Sequence, residues 1–124
     1  MEYGYERLVA WKNCVELRRK IFQITKAFPT IEMRRVSQMN DAARSVKQNI
    51  QEGYFKSTKS YLNYLNISRG SLNELKGDIR DCFDDEIISV QIYNAINDII
   101  CRTEFLLIRL IYSIRKKLEE EKEE

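Results

Sequence analysis

Apolar residues recur at intervals of three and four along almost the whole chain, and this spacing most constrains the fold. Such intervals place side chains on one face of an α-helix, whereas a half-buried strand would need strict alternation. One proline, Pro29, and four glycines are the only strong breaks in 124 residues. So few breaks favour long helices and disfavour a turn-rich β protein.

Four helical segments follow from this spacing. The first runs from Tyr5 to about Ala27 and ends at Phe28-Pro29, because the residue before a proline avoids the α conformation. The second runs from Ile31 or Glu32 to Glu52, the third from Ser57 or Thr58 to about Phe83, and the fourth from about Ser89 to Glu120. Four helices with short connections predict an all-α fold, an antiparallel up-down four-helix bundle with a long fourth helix.

Each of the first three segments has one apolar stripe, which we expect to face the core. The first stripe comprises Leu8, Trp11, Val15 and Phe22, widened by Cys14, Leu17, Ile21 and Ile24. The second comprises Val36, Met39, Ala43, Val46 and Ile50. The third comprises Tyr61, Leu65, Ser68, Leu72, Leu75, Ile79 and Cys82.

The fourth segment carries more apolar residues than one face can hold. They are Ile92, Tyr93, Ile96, Ile99, Ile100, Leu106, Leu107, Leu110, Ile111, Ile114 and Leu118. A helix that is apolar on two sides is either central or shared with another subunit, so we expect a homo-oligomer. At ~1.5 Å per residue the helix would reach ~45 Å and extend beyond the others.

The turn between the second and third segments, QNIQEG, has two interpretations. In the preferred interpretation, Gly53 ends the second helix as a left-handed residue. Glu52 then reaches the free N–H groups of the third helix, and Asn49 hydrogen-bonds a neighbouring backbone group. The alternative is a phosphate site formed by the first amides of the third helix with Lys56 and Lys59.

Two small residues, Gly70 and Ser71, lie in the middle of the third segment. Glycine inside a helix costs up to ~1 kcal/mol relative to alanine. We expect a close approach of another helix at this point to offset that cost.

The composition excludes several classes of site. Histidine is absent, which removes Ser-His and Cys-His catalysis and most zinc sites. We expect Cys14, Cys82 and Cys101 to be reduced, buried thiols, and the acids around Asp78 and Asp85 to form a solvated surface. The chain therefore predicts no catalytic residue, no cofactor and no metal.

Length and hydropathy predict a single cytoplasmic domain over residues 1–124, with an acidic tail from about residue 118. No stretch approaches the ~20 apolar residues of a membrane span, so we expect no membrane contact. The beginning, MEYGYERLVAW, lacks the apolar run of a signal peptide.

Charge is unevenly spread although the net charge is only +2. Residues 1–70 hold 13 basic and 6 acidic residues, whereas residues 71–124 hold 8 and 13. Repeated in an oligomer, basic positions would give salt-sensitive binding to nucleic acid, and the alternative is an ordinary solvated surface. The candidate positions are Arg18, Arg19, Arg34, Arg35, Arg44, Lys47, Lys56 and Lys59. Tyr54, Tyr61 and Tyr64 could stack on bases or pack in the core.

Several runs of the sequence, taken in order, resemble a known family. LVAWKNCVEL, FPTIE, SQMNDAARSV, NIQEGY and SRGSLNEL are similar to the helices and turns of the four-helix-bundle proteins encoded in 23S ribosomal RNA intervening sequences. The resemblance covers about residues 5–118. Its structural-motif positions include Trp11, Pro29, Asn49, Glu52, Gly53, Gly70, Ser71 and Glu74.

The resemblance implies a four-helix bundle that assembles into a ring-like homopentamer and has no catalytic residues. A related branch, the accessory variability determinant of diversity-generating retroelements, binds nucleic acid and partners a reverse transcriptase. This chain departs from the family at Asn40-Asp41, where a basic pair is usual, at Lys47, where proline is common, and near Ser60, where an acid is usual. The loss of the basic pair weakens the nucleic-acid hypothesis.

Two functions therefore remain open. One is a non-enzymatic homo-oligomer that binds RNA, DNA or a ribonucleoprotein through its basic positions. The other is a protein-interaction scaffold that docks a partner between subunits or on the fourth helix.

Overall fold

The computed structural model describes residues 4–123, which form four α-helices and two short 3-10 turns, with no strand among them. The helices are α1 (Val9–Thr25), α2 (Met33–Tyr54), α3 (Thr58–Asp84) and α4 (Val90–Glu123). The 3-10 turns, Gly4–Arg7 and Thr30–Glu32, precede α1 and α2. The predicted outer boundaries at residues 1 and 124, and the last residue of the acidic tail, lie outside the described residues.

The four helices pack as the predicted up-down bundle, in which α1 contacts α2 and α4, and α3 contacts the same two helices from the other side. Side-chain pairs near both ends of α1 and α2 show that these helices are antiparallel. Trp11 Nε1 donates to Gln51 Oε1 (3.0 Å), and Asn40 Nδ2 donates to Thr25 Oγ1 (3.0 Å). Proline 29 lies between these helices and precedes the short 3-10 turn, so the predicted break is confirmed.

The stripe predicted for α3 is confirmed at every position. All seven residues, from Tyr61 to Cys82, are buried, and five of the six apolar ones are fully inaccessible to solvent. In α2, four of the five predicted residues are fully buried, and Val36 is half-buried at the edge. Regular spacing on one face was therefore sufficient to identify the core of these two helices.

The centre of the α1 stripe was placed wrongly. Cys14, Leu17 and Ile21 are fully buried, whereas Phe22 is 49% exposed. Apolar residues flank the buried line on both sides, so the spacing alone could not decide which line faces the core.

Gly53 does not end α2, contrary to the prediction. It lies inside the last turn of the helix, is buried, and no glycine among residues 4–123 has a positive φ. A Cβ atom on Gly53 would lie 2.7 Å from Tyr64 Cβ and 2.8 Å from Tyr61 Cδ1. Glycine is therefore needed here because α2 and α3 approach closely, not because the backbone turns.

The close approach predicted at Gly70 is also wrong, because Gly70 is exposed and a Cβ there would meet no atom within 4 Å. The small residues that do face α2 are its neighbours in the sequence. Ser71 Oγ lies 2.7 Å from Ser45 Oγ, and Ser68 donates to the carbonyl of Val46 at 2.6 Å.

The left-handed residue of this bundle is found at the end of α3, at Glu86, whose φ is 60°. The N–H of Glu86 donates to the Phe83 carbonyl (3.1 Å), and the N–H of Ile87 donates to the Cys82 carbonyl (2.9 Å). This is the Schellman arrangement, which satisfies the last carbonyls of a helix and usually carries glycine at the left-handed position.

The prediction that α4 extends beyond the other helices is wrong at its far end with respect to α3. Thr58 at the start of α3 donates to Glu121 (2.7 Å), so the far end of α4 is level with α3. The fourth helix is still the longest, with 34 residues against 17 in α1, a difference of roughly 25 Å at ~1.5 Å per residue.

Candidate nucleic-acid interface

An open groove of about 350 Å³ runs between α1 and α2 on the surface of the bundle. Its volume is within the range of small-molecule sites, about 300–1,000 Å³. The residues that line it are Arg18, Phe22, Thr25, Lys26, Val36, Ser37, Asn40, Asp41 and Arg44. Three of them are cations and one is an acid, so the groove has a positive excess.

A fourth cation, Lys47, lies close to the groove. Burial, and then the nearby charges of Arg18 and Arg44, lower the pKa of Lys47. Its ammonium donates to Gln51 Oε1 at 3.0 Å, which fixes its position beside α1. Within residues 4–123, no ion pair neutralises Arg18, Lys26, Arg44 or Lys47. Unneutralised cations held near one another attract an anion such as a phosphate.

The floor of the groove is polar but internally satisfied. Asn40 Nδ2 donates both to Thr25 Oγ1 (3.0 Å) and to the carbonyl of Val36 (2.8 Å). Thr25 in turn donates to the carbonyl of Ile21 (2.8 Å). Asn40 thus links α1 to α2.

One aromatic ring forms part of the groove wall. Phe22 is 49% exposed, and the Lys26 ammonium lies 4.5 Å from the ring centroid. A cation over an aromatic face is a favourable contact of about 0.5–1 kcal/mol at exposed sites.

The structure brings together Arg18, Arg44 and Lys47 from the sequence-based candidates, but Arg35 belongs elsewhere. Its guanidinium pairs with Asp85 and Glu32, each at 2.9 Å. The hydrogen bond to Asp85 is the main reason that the pKa of Arg35 is raised. Arg35 therefore joins α2 to the end of α3 and has no free charge to offer a ligand.

The other candidates do not converge on the groove. Arg34 lines a separate cavity together with Asp78 and Asp81, whose carboxylates offset its charge. Lys56 lines a cavity with Glu52 at the α2–α3 turn. Arg19 and Lys59 are exposed and do not line the α1–α2 groove.

Neither interpretation of the QNIQEG turn survives in full. Asn49 Nδ2 donates to the Ser45 carbonyl (2.8 Å), as predicted, but Glu52 is exposed and makes no hydrogen bond or ion pair among residues 4–123. The start of α3 is capped by Ser57, whose Oγ accepts from the N–H of Ser60 (3.3 Å). The Glu121 carboxylate beside Thr58 places negative charge at the same helix end, which disfavours a phosphate there.

Of the three tyrosines that could stack on bases or pack in the core, Tyr61 packs in the core. Tyr61 is 8% exposed, and its ring lies 6.0 Å from that of half-buried Tyr54. Burial raises the pKa of Tyr61 to about 12. Phe22 and Lys26 were not among the candidate positions predicted from the sequence, and their i, i+4 spacing at the end of α1 is the signal that could have identified them.

The acids and thiols form no metal or nucleophile site in the part of the chain described. No group of three or more metal-ligating side chains occurs there. Burial raises the pKa of Cys14 to about 12, so this thiol is not a nucleophile near neutral pH. Cys101 is exposed, contrary to the prediction, because it lies on the outer face of α4.

The outer face of α4 carries a second apolar stripe, formed by Cys101, Phe105, Ile108 and Tyr112. Their 4-3-4 spacing is that of a coiled-coil seam. Phe105 is 58% exposed and Tyr112 is 64% exposed. Arg109 and Arg115 lie over these two rings, at 5.7 and 6.0 Å from their centroids.

No helix of residues 4–123 is long and apolar enough to cross a membrane.

Comparison with known proteins gives a family and a fold. The model of the family described as 23S rRNA-intervening sequence protein matches residues 6–109. Among solved structures, a protein of unknown function from the S23 ribosomal protein family of Bacteroides thetaiotaomicron is similar, with a TM-score of 0.73 and 22% identity. The match covers 84% of this chain and 96% of that one. No curated protein matches the sequence.

Proposed function

This chain belongs to the 23S rRNA-intervening sequence protein family, and we propose that it is a non-enzymatic, homo-oligomeric protein that binds RNA. The binding surface is the groove between α1 and α2. Repetition of the groove around an oligomer multiplies the number of phosphate contacts, and each contact releases counterions.

The observation that carries this proposal is the cluster of four cations that lack ion-pair partners. Arg18, Lys26 and Arg44 line the groove together with one acid, Asp41, and Lys47 lies near Arg18 and Arg44. Other arginines of the bundle, such as Arg35, Arg80 and Arg102, are paired with acids. Unpaired cations that lie together attract a polyanion, whereas the charge of a paired arginine is already offset by its acid.

A salt titration tests this function. We expect a labelled RNA hairpin to bind tightly at low salt and weakly at high salt, with log Kd rising linearly with log salt. The double variant Arg18→Gln/Arg44→Gln should weaken binding. It should also reduce the slope of log Kd against log salt by about 2, because each lost phosphate contact lowers that slope by about 1. Arg80→Gln/Arg102→Gln is the matched control, since it removes the same charge from paired arginines.

Equal losses in both double variants would mean that only net charge matters and would remove the groove from the proposal. Absence of salt-sensitive binding to RNA by the oligomer would contradict the function itself.

A second candidate function, a protein-interaction scaffold, is favoured by the outer stripe of α4. Exposed Phe105 and Tyr112 give this face the character of a contact surface rather than of a solvated one. Binding of a partner that survives high salt and is lost on Phe105→Glu would support the scaffold over the RNA-binding function.

A further inference from the structure

We propose that the α1–α2 groove binds an unpaired nucleotide, with the base stacked on Phe22 and the neighbouring phosphates held by Arg18 and Arg44. This inference rests on the proposed RNA-binding function and specifies which form of RNA the groove accepts. It assigns base contact to a residue that the apolar pattern of α1 had placed in the core.

The position of the Phe22 ring is the first argument. The ring lies in the wall of the groove, and 49% of the side chain is exposed. One exposed apolar side chain is ordinary on a protein surface. An exposed ring inside a concave, cation-lined groove is a different arrangement, because both components needed to hold a nucleotide are side by side.

The chemistry of the groove matches the two parts of a nucleotide. Arg18 precedes Phe22 by one helical turn, and Lys26, at the C-cap of α1, places its ammonium over one face of the ring, 4.5 Å from the centroid. A base therefore stacks on the other face or displaces Lys26, whose ammonium is then free for a phosphate. Arg44 supplies a further cation from α2. Proteins that bind single strands combine such a basic track with aromatic rings on which bases stack.

Stacking on Phe22 requires an unpaired base. In a duplex both faces of each base are already stacked, and the narrow major groove of A-form RNA keeps base edges away from side chains. Only a base in a loop, a bulge or a single strand can turn its face towards a ring at the wall of a groove of about 350 Å³. The surface of a duplex can still touch the rim cations, so weak electrostatic binding of a duplex is expected.

The test compares three probes by fluorescence anisotropy at fixed salt. They are a single-stranded RNA of about 12 nucleotides, within the site size of single-strand binders, an RNA duplex of equal length, and inorganic polyphosphate as competitor. Polyphosphate has the charge but no base. The variants are Phe22→Leu, which removes the ring, and Phe22→Tyr, which retains it.

We expect the parent to prefer the single strand, and Phe22→Leu to lose roughly tenfold in affinity for it, the typical cost of one lost stacking contact. Phe22→Tyr should retain the preference. Binding of the duplex and competition by polyphosphate should be unchanged in both variants. Phe55→Leu is the matched control, because Phe55 is 67% exposed and lies beside Lys56 but outside the groove.

Each other outcome has a definite meaning. Equal binding of all probes, unchanged by Phe22→Leu, would overturn base stacking and leave the RNA-binding function standing. Failure of both RNA probes to bind, together with no salt-sensitive binding in the separate salt titration, would overturn both. A change of subunit number in Phe22→Leu, seen by light scattering, would assign the ring to a subunit contact and overturn the inference.

Discussion

At the scale of single residues, two helical glycines have opposite environments. Gly53 lies against Tyr61 and Tyr64, whereas Gly70 has open space where a side chain would begin. Both lie inside helices with ordinary backbone angles, so alanine would gain the same helix propensity at each. The difference between the two substitutions therefore isolates the effect of packing.

We predict that Gly53→Ala destabilises the protein by about 1–3 kcal/mol, because the added methyl group would overlap Tyr64 Cβ and force α2 and α3 apart. Gly70→Ala should stabilise it by up to about 1 kcal/mol. Urea unfolding followed by circular dichroism measures the free energy of unfolding of each variant. The close-approach interpretation would be falsified if Gly53→Ala were as stable as Gly70→Ala.

Asp78 gives a pH-dependent prediction. Its Oδ2 atom is buried and has no hydrogen-bond partner among residues 4–123. Burial, followed by the charges of Glu74 and Asp81, raises the pKa of Asp78 above its ordinary value of 3.8, although Arg35 opposes the shift. The folded state therefore binds this proton more tightly than the unfolded state does.

Below pH 3.8 Asp78 is protonated in both states, and its contribution to the stability of the folded state is fully present. This contribution is lost as the pH rises through the pKa of Asp78 in the folded state, because the buried carboxylate then becomes charged. We expect Asp78→Asn to melt at a higher temperature than the parent at pH 7, with the difference disappearing near pH 3. Asp81→Asn removes the same charge from an exposed position and should give a smaller gain. A lower melting temperature of Asp78→Asn at pH 7 would contradict the assignment.

At the scale of the helices, the end of α3 has the hydrogen bonds of a Schellman motif, but its left-handed position carries glutamate instead of glycine. Glu86 adopts φ 60°, a conformation that costs an L residue about 1–2 kcal/mol but is nearly free for glycine. The chain uses glutamate there, so the sequence contains no glycine signal at this helix end.

We predict that Glu86→Gly raises the free energy of unfolding by about 1 kcal/mol by relieving this strain. Asp85→Gly, one residue earlier, is the control, because Asp85 has φ −85° and pairs with Arg35 at 2.9 Å. It should destabilise the protein. Thermal unfolding by calorimetry compares the stabilities of the two variants. A higher stability of Asp85→Gly, with no increase for Glu86→Gly, would contradict the prediction.

α1 shows the limit of helix-scale reasoning. Its apolar residues predicted a helix correctly, yet the buried line runs through Leu17 and Ile21 rather than through Phe22. The spacing defines a helix that has an apolar side, but the rotation of that helix about its axis is set by α2 and α4.

At the scale of the whole molecule, the packing of the helices creates the groove and decides which side of α4 stays exposed. The groove exists because α1 and α2 are antiparallel and joined by Asn40 and Thr25. The outer stripe remains exposed because α1 and α3 pack against the inner face of α4, which includes the buried Thr103 and Leu107. Self-association is the simplest way to cover the outer stripe.

We predict that the protein is a homo-oligomer and that Phe105→Glu/Tyr112→Glu reduces its subunit number without unfolding it, because both side chains are exposed in the single chain. Size-exclusion chromatography with light scattering measures the mass. Ile67→Glu is the control, since Ile67 is 54% exposed on α3, outside the stripe. A monomeric parent would contradict the prediction.

Helical periodicity was sufficient to predict which segments are helices and which line of α3 faces the core, because periodicity is a local property of each segment. The convergence of Arg18, Arg44 and Lys47, and the pairing of Arg35 with Asp85, could not be predicted in this way. Both depend on the rotation and axial offset of each helix, which are set by packing against the neighbouring helices.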